Sequence, residues 1–322
     1  MIIPVLLFIL GLVLLIKGGD FFVDSSVNIA KRFHVPDILI GATVVSIGTT
    51  LPEVMVSASS ALKGSGSIAY GNAIGSIICN TALIAALTVA IKPATIQKKD
   101  LKIPVIFFFI AAIFYSAVAY ISGYFSRIIG ILLLMIFAVY ITLQVKAALK
   151  TPAQSTDKGS EEPENSSIIK DIIMLVIGAA TITVGANLLV NNGQIIAAAL
   201  GVPEAVIALT FVALGTSLPE LVTAITSLVK GHGALSLGNV IGANLFNLIL
   251  VSGVSVTLAP FAIPSDNMIA GKNASLILDI PLMLFVMVFL TVPALIKGKL
   301  SRYQGVILLV VYASYCIFQF VK

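Results

Sequence analysis

The chain has 322 residues, of which 59% are hydrophobic and only 10% are charged, and its mean hydropathy is +1.11. Soluble domains average roughly 25% charged residues, so this composition excludes an ordinary soluble protein and indicates an integral membrane protein. The formal net charge of +5 requires no nucleic-acid partner, because the basic residues are spread over the loops between apolar stretches.

Ten apolar stretches have the length of about 20 residues that crosses a bilayer of roughly 30 Å as a helix. They lie near 2–19, 37–62, 67–91, 103–123, 127–148, 168–187, 203–229, 234–260, 274–296 and 302–321. The first stretch has no basic leading segment and no small-residue cleavage site, so we interpret it as a retained helix and not as a signal peptide. The sequence therefore predicts an all-α integral membrane protein with ten transmembrane helices.

The basic residues predict how these helices are oriented. With the N-terminus placed outside, all but four of the 19 Lys and Arg residues fall in loops on one side of the membrane, the exceptions being Lys63, Arg127, Lys272 and Lys322. The positive-inside rule assigns the richer side to the cytoplasm. We therefore expect a multi-pass protein of the cell membrane with both termini extracellular.

A polar segment divides the chain into two halves. Residues 149–167 contain the stretch TPAQSTDKGSEEPENSS, which is rich in Pro, Ser, Gly and acidic residues and too poor in apolar residues to form a core. We expect a cytoplasmic linker there. Residues 1–148 and 168–322 would then hold five helices each.

The two halves are related in sequence. A shift of 167 residues aligns residues 40–80 with 207–247, and 17 of these 41 positions are identical without a gap. The aligned identities include Gly48 with Gly215, Pro52 with Pro219, Glu53 with Glu220, and Asn80 with Asn247. Shared apolar composition does not place Gly, Pro, Glu and Asn in register, so the pattern indicates an internal duplication. An odd number of helices per unit reverses direction, which predicts two inverted five-helix repeats around a site near the membrane midplane.

Two glutamates indicate where that site lies. Glu53 and Glu220 fall near the middle of long predicted spans, with no Lys or Arg at the same depth. An ionised carboxylate there costs about 2.5–3.5 kcal/mol on insertion scales. Their equivalent placement in inverted repeats favours a bound cation over a protonated, hydrogen-bonded pair. Asp279, early in the ninth span, is interpreted as an interfacial or packing residue.

Neutral oxygens accompany each glutamate. Pro52 and Pro219 remove the helical partners of the Gly48 and Gly215 carbonyls, and each break is expected to start a half-helix. Side-chain oxygens at three- and four-residue intervals form polar stripes, with candidate ligands at Ser46, Thr49, Thr50, Ser76, Asn80, Thr216, Ser217 and Asn247, and with Asn72 and Asn239 beside them. Such an oxygen set suits one Ca²⁺ or several monovalent ions, and no His or Cys occupies a ligand position of the kind that zinc or copper prefers.

Small residues in the third and eighth spans have a different interpretation. Glycines repeat at four-residue intervals in the two motifs, at Gly71, Gly75, Gly238 and Gly242. Glycine lets the backbones of neighbouring transmembrane helices approach closely. We therefore predict that these glycines serve helix packing and not ion binding.

The paired motifs resemble a known family. GATVVSIGTTLPE with GNAIGSIICN, and ALTFVALGTSLPE with GNVIGANLFN, are similar to the two α-repeats of the cation/calcium exchanger superfamily, most closely the prokaryotic sodium/calcium exchangers. In similar proteins these oxygens form a cluster occupied by one calcium ion or by several sodium ions, and the first and sixth helices slide across the rest.

Carried over by position, the resemblance implies roles for individual residues. Glu53 and Glu220 would be shared ligands, and Thr49 and Thr216 would offer backbone carbonyls to calcium. The sodium or flanking sites would use Ser76, Asn80, Ser217 and Asn247. Two positions depart from the usual pattern: Ala243 stands where serine is usual, and Asn247 is aspartate in some relatives. The type of ion is therefore better defined than the stoichiometry.

The favoured hypothesis is a monomeric sodium/calcium antiporter that needs no cofactor. Calcium/proton exchange and potassium-dependent exchange stay open, because a glutamate in a low dielectric can take up a proton. A channel fits a closed midplane cluster less well. An enzyme is not expected, because HExxH and Ser/His or Cys/His arrangements are absent and both histidines, His34 and His232, lie in loops.

Overall fold

The computed structural model describes residues 1–33, 35–93, 95–150, 167–201, 215–265 and 268–321. In this part of the chain ten helices follow one another, some of them with internal π-helical turns. They are α1 (Ile2–Arg32), α2 (Asp37–Leu62), α3 (Gly66–Ile91), α4 (Lys98–Ile121), α5 (Arg127–Lys150), α6 (Ile168–Ala199), α7 (Leu218–Val229), α8 (Gly233–Leu258), α9 (Ser275–Lys297) and α10 (Arg302–Val321).

Eight of these helices are long and apolar enough to cross a membrane: all except α7 and α10. Helix α7 has 12 described residues, and residues 202–214, which include most of the first half of the predicted seventh span, lie outside the described residues. Helix α10 has 20 residues. The protein is therefore an all-helical membrane protein, and the count of ten spans stays a prediction.

Helices α1 and α6 are longer than the sequence predicts. Helix α1 has 31 residues and α6 has 32, whereas the apolar stretches end near residues 19 and 187. The extension of α1 carries polar side chains with partners: the Lys230 ammonium lies 2.7 Å from Asp24 Oδ1, and Asn28 donates to Asp171 Oδ1 at 3.3 Å. A hydropathy scan stops at such residues although the helix continues.

The predicted linker begins later than expected. Helix α5 continues to Lys150, so residues 149 and 150 are helical and not part of a linker. An apolar stretch marks the membrane-buried part of a helix and not its end, which explains the difference. Residues 151–166 lie outside the described residues.

Helices α1 and α6 form the most extensive helix pair among the described residues. Their backbones touch at glycines: a Cβ added at Gly11 would lie 2.8 Å from the Gly185 carbonyl oxygen, and one added at Gly185 would lie 2.8 Å from the Gly11 carbonyl oxygen. Gly18 and Gly178 make similar approaches one or two turns further on. Only glycine allows this spacing, so the pair packs as one unit.

Helix α8 crosses α2 at two of the predicted packing glycines. A Cβ at Gly242 would lie 2.7 Å from Ala42 Cα, and one at Gly238 would meet the carbonyl of Ile38. The packing role is therefore confirmed for this pair. The shift of 167 residues places the corresponding partners of Gly71 and Gly75 at positions 205–213, outside the described residues.

Four two-residue strands accompany the helices. Tyr124–Phe125 (β1) pairs antiparallel with Phe261–Ala262 (β2), and Met268–Ile269 (β3) pairs antiparallel with Lys272–Asn273 (β4). An isolated antiparallel bridge joins Thr95 to Lys299. These short ribbons join loops and leave the architecture helical.

Helix packing reflects the duplication. Gly130 on α5 approaches α8 at Gly253 and Thr257, and Gly305 on α10 approaches α3 at Ala86 and Ala90. Ala86 and Ala90 are the counterparts of Gly253 and Thr257 under the shift of 167 residues. The contact of α5 with α8 is thus repeated by α10 with α3, as expected when two related halves exchange equivalent surfaces.

Candidate ion-binding site

Two buried carboxyl groups meet between the halves of the protein. Glu53 on α2 and Glu220 on α7 are both 0% exposed, and their carboxyls are close enough to interact directly. All four carboxyl oxygens are without a hydrogen-bond partner among the described residues. A pair of acidic groups in this setting needs a cation or protons to offset the burial.

A third buried acid shows the contrast. Asp171 at the start of α6 is 4% exposed, but Arg32 lies 3.5 Å from its carboxylate and Asn28 donates to it. Within the described ranges, Glu53, Asp171 and Glu220 are the buried charged residues. Only the two glutamates have no described basic partner, which marks their surroundings as the place for a cation.

The two glutamates are positioned by different backbone arrangements. In the second half, α7 begins at Leu218 with Pro219 in its first turn, after a turn at Thr216 and Ser217, so the predicted half-helix start is confirmed there. In the first half, α2 continues through Pro52, so the predicted break is wrong at that position. Transmembrane helices tolerate such a proline when neighbouring helices surround it, and Glu53 in the next position is fully buried.

The predicted ligands line the interior near these carboxyls. All ten predicted site residues lie in the described part; Thr216 is half-buried and the others are buried, namely Ser46, Thr49, Thr50, Glu53, Ser76, Asn80, Ser217, Glu220 and Asn247. The hydroxyls of Thr49 and Thr50 lie beside the Glu220 carboxyl. Oxygens without a hydrogen-bond partner include Thr50 Oγ1, Asn80 Oδ1, Ser217 Oγ and Asn247 Oδ1. Several neutral oxygens are therefore free to bind an ion.

The two asparagines occupy equivalent places in the halves. Asn80 begins the π-helical stretch Asn80–Ala85 of α3, and Asn247 begins the stretch Asn247–Val251 of α8. Helix α2 packs against the Asn247 stretch, whereas α7 packs against the Asn80 stretch. Each glutamate-bearing helix therefore meets an asparagine-bearing turn from the other half. Single π-turns inside α-helices are frequent at functional sites.

Ser46 has its hydroxyl engaged by the backbone. Its Oγ lies 2.7 Å from the Gly41 carbonyl oxygen and 2.9 Å from the Asn239 carbonyl oxygen, so it links α2 to α8. The Thr49 hydroxyl donates to Asn239 Oδ1 at 3.2 Å. These contacts fix the face of α2 that carries Glu53.

Comparison with known proteins identifies the family. The family described as sodium/calcium exchanger protein matches residues 3–146 and 170–321. The chain belongs to the sodium/calcium exchanger family. This is a family of transporters and not of enzymes, and it supports cation/calcium exchange by antiport as the activity of a chain with this fold.

Three relatives show how far the similarity extends. An uncharacterised membrane protein of Methanocaldococcus jannaschii is 36% identical over 305 residues, covering 95% of this chain and 94% of the relative. The sodium/calcium exchanger MaX1 of Methanosarcina acetivorans is 29% identical over 350 residues, covering 98% of each chain. A solved structure of the sodium-calcium exchanger NCX_Mj, soaked with Na⁺ and Ca²⁺, matches with a TM-score of 0.80 at 33% identity and covers 97% of each chain.

The structure of this family member adds residues that the sequence did not single out. A cavity of about 220 Å³ lies beside the site, lined on one side by Pro52, Gly215, Thr216 and Pro219. Its other side is the polar face of α6, formed by Thr183, Asn187, Asn191 and Gln194. Their spacing of four, four and three residues is a helical stripe that the sequence does contain. Asn239 was noted in a polar stripe, but its bond to Thr49 crosses between the halves and follows from the fold.

Proposed function

We propose that this chain exchanges Na⁺ for Ca²⁺ across the cell membrane by alternating access, at a midplane site built by Glu53 and Glu220. The observation that carries the proposal is the convergence of two fully buried carboxyls from the two halves, without a described basic partner and among unpartnered neutral oxygens. Ca²⁺ and Na⁺ are the transported substrates.

The charge of the site supports this ion pair. Two carboxylates neutralise one Ca²⁺, which takes six to eight oxygens in an adaptable geometry. The carbonyls of Thr49 and Thr216 and the side chains of Asn80 and Asn247 would complete such a shell. Two or three Na⁺ ions sharing the same oxygens would occupy the site in exchange, so that binding of one type of ion excludes the other.

The residues available to Na⁺ differ between the halves. Ser76 and Ser217 offer hydroxyls, and Ser46 and Thr50 are neighbours on α2. Ala243, the counterpart of Ser76 under the shift of 167 residues, offers no side-chain oxygen. We therefore propose unequal sodium sites in the two halves.

The helix packing supports an alternating-access movement. Helices α1 and α6 pack on each other at Gly11 and Gly185 and meet the remaining described helices over smaller surfaces. We propose that this pair moves against the rest of the bundle, and that ions reach the site through the cavity beside Pro52 and Pro219. The inverted arrangement of 1–148 and 168–322, the extracellular termini, the cytoplasmic linker and a monomeric state belong to the same proposal.

Ion gradients across vesicles test the exchange directly. Purified protein is reconstituted into vesicles loaded with Na⁺, K⁺ or protons, and ⁴⁵Ca²⁺ uptake is measured after dilution into choline medium. Sodium-loaded vesicles are expected to accumulate Ca²⁺ and the others are not. Uptake that follows a proton gradient without Na⁺, or that needs K⁺, selects one of the alternative exchangers; uptake indifferent to every gradient overturns antiport.

Asn239→Ala is expected to raise the Ca²⁺ concentration for half-maximal uptake about fivefold. The change removes the acceptor of the Thr49 hydroxyl and loosens the turn of α2 beside Glu53. Loss of one such hydrogen bond corresponds to about 1 kcal/mol. The control is Asn192→Ala, because Asn192 donates to the Leu188 carbonyl on its own helix. Equal effects of the two substitutions would contradict a specific role for Asn239.

A further inference from the structure

A second polar cluster lies between α9 and α10. Asp279 ends the π-helical stretch Ser275–Asp279 at the start of α9, and the Tyr315 hydroxyl on α10 donates to Asp279 Oδ1 at 3.2 Å. The exchange proposed above uses neither residue. The sequence indicated an interfacial or packing role for Asp279, but a carboxylate bonded to a tyrosine 36 residues later is a specific arrangement.

A buried tyrosine from α3 points into the same cluster. The Tyr70 side chain is 2% exposed, and its hydroxyl faces the Ser275 hydroxyl and the Asp279 carboxylate. Within the described residues this hydroxyl has no hydrogen-bond partner. An unpartnered hydroxyl in this position costs about 1–3 kcal/mol unless a ligand occupies the cluster.

Aromatic rings close the cluster on one side. The rings of Tyr70 and Tyr115 stack with centroids 6.2 Å apart, and Phe125 of β1 lies 4.5 Å from Tyr115 and 5.9 Å from Phe261 of β2. Phe125 is fully buried. The β1–β2 ribbon therefore covers the cluster, and a ligand held there would be shielded from water.

The chemistry of the cluster selects the class of ligand. One carboxylate and the hydroxyls of Ser275, Tyr70 and Tyr315 are hard oxygen ligands. They carry a single negative charge. A divalent ion would leave a net positive charge in a low dielectric, which is unfavourable, whereas a monovalent ion would be neutralised. In the described part of the chain no group of three or more His, Cys, Asp or Glu side chains could hold a metal ion, which argues against a transition metal.

We propose that Asp279, Ser275, Tyr315 and Tyr70 form a second site that binds one monovalent alkali cation, separate from the site of Glu53 and Glu220. The site does not depend on the exchange mechanism. Na⁺ and K⁺ share the required chemistry, and the experiment distinguishes them.

Equilibrium binding in a background without the first site tests the proposal. The purified full-length Glu53→Gln/Glu220→Gln variant is titrated with ²²Na⁺, and separately with ⁸⁶Rb⁺ as a probe for K⁺. A single residual cation per chain is expected, and it is lost when Asp279→Asn is added. No residual cation, or residual binding that Asp279→Asn leaves unchanged, overturns the proposal.

Tyrosine emission gives a second readout. The chain has no Trp and 8 Tyr, so its intrinsic fluorescence reports tyrosines alone. Adding the bound cation to the same double variant is expected to change the emission, with loss of the change in Tyr70→Phe and Tyr315→Phe. Tyr303→Phe is the control, because Tyr303 is 82% exposed on the same helix as Tyr315. These variants decide the question if Asp279→Asn does not fold, and an unaltered response in both Tyr70→Phe and Tyr315→Phe contradicts the site.

Discussion

Replacing Glu53 or Glu220 by Gln is expected to lower sodium-driven Ca²⁺ uptake by about a hundredfold or more. Both carboxyls are fully buried and face each other, so each substitution removes one of the two negative charges that a divalent ion would need. Removing one member of a buried charged interaction costs about 3–5 kcal/mol, and each 1.4 kcal/mol corresponds to about a factor of ten. The measurement is the initial rate of ⁴⁵Ca²⁺ uptake into sodium-loaded vesicles.

The double variant sharpens this prediction. Groups that bind one ion together act as a unit, so Glu53→Gln/Glu220→Gln is expected to be no worse than either single variant within the error of the rate. Asp100→Asn makes the same chemical change in the first turn of α4 and is expected to retain uptake. If either glutamate variant keeps uptake within about tenfold of the unaltered protein, one carboxylate is dispensable and the shared site is wrong.

The sequence predicts the site well because its residues repeat in register. Glu53 and Glu220 are found by asking which acids lie inside apolar stretches, and the shift of 167 residues then pairs the asparagines at 80 and 247. The structure places both asparagines at the start of π-helical turns and buries them fully. Local sequence was sufficient because each motif lies on two consecutive helices.

Contacts between distant segments could not be predicted in this way. The bond from Thr49 to Asn239 joins residues 190 positions apart, and the bond from Tyr315 to Asp279 joins two helices whose sequences show no related pattern. Such pairs follow from helix rotation and crossing geometry, which hydropathy does not encode. The same limit explains why an acid in the ninth span was interpreted as a packing residue.

Helix length was also underestimated for a physical reason. The scan ended the first span near residue 19, yet α1 continues to Arg32, with Lys230 close to Asp20 and Asp24 along the extension. Partial burial disfavours the Lys230 ammonium, but the hydrogen bonds and charges of the two aspartates outweigh it and hold the pKa of Lys230 above its ordinary value. Polar residues with such partners are compatible with helix continuation, although they lower the hydropathy.

Gly242→Ala is expected to destabilise the protein by about 1–3 kcal/mol, the usual cost of inserting a methyl group into a close-packed contact. The added Cβ would lie 2.7 Å from Ala42 Cα and 2.8 Å from the Ala42 carbonyl oxygen, so it would press on the backbone of α2 and not on a flexible side chain. The melting temperature of the detergent-solubilised protein should fall. Gly233→Ala, in the first turn of the same helix, is the control, because its Cβ would lie 3.9 Å from Leu228 Cδ1.

The effect of Gly242→Ala on transport follows from the same contact. Moving α8 away from α2 lengthens the bonds that tie Ser46 and Thr49 to Asn239, and thereby displaces the turn before Glu53. Ca²⁺ uptake per folded molecule should therefore fall together with the melting temperature, whereas Gly233→Ala should change neither. An unchanged melting temperature with unchanged uptake would mean that α2 and α8 can separate freely, and the close crossing would then have no part in holding the two halves of the site together.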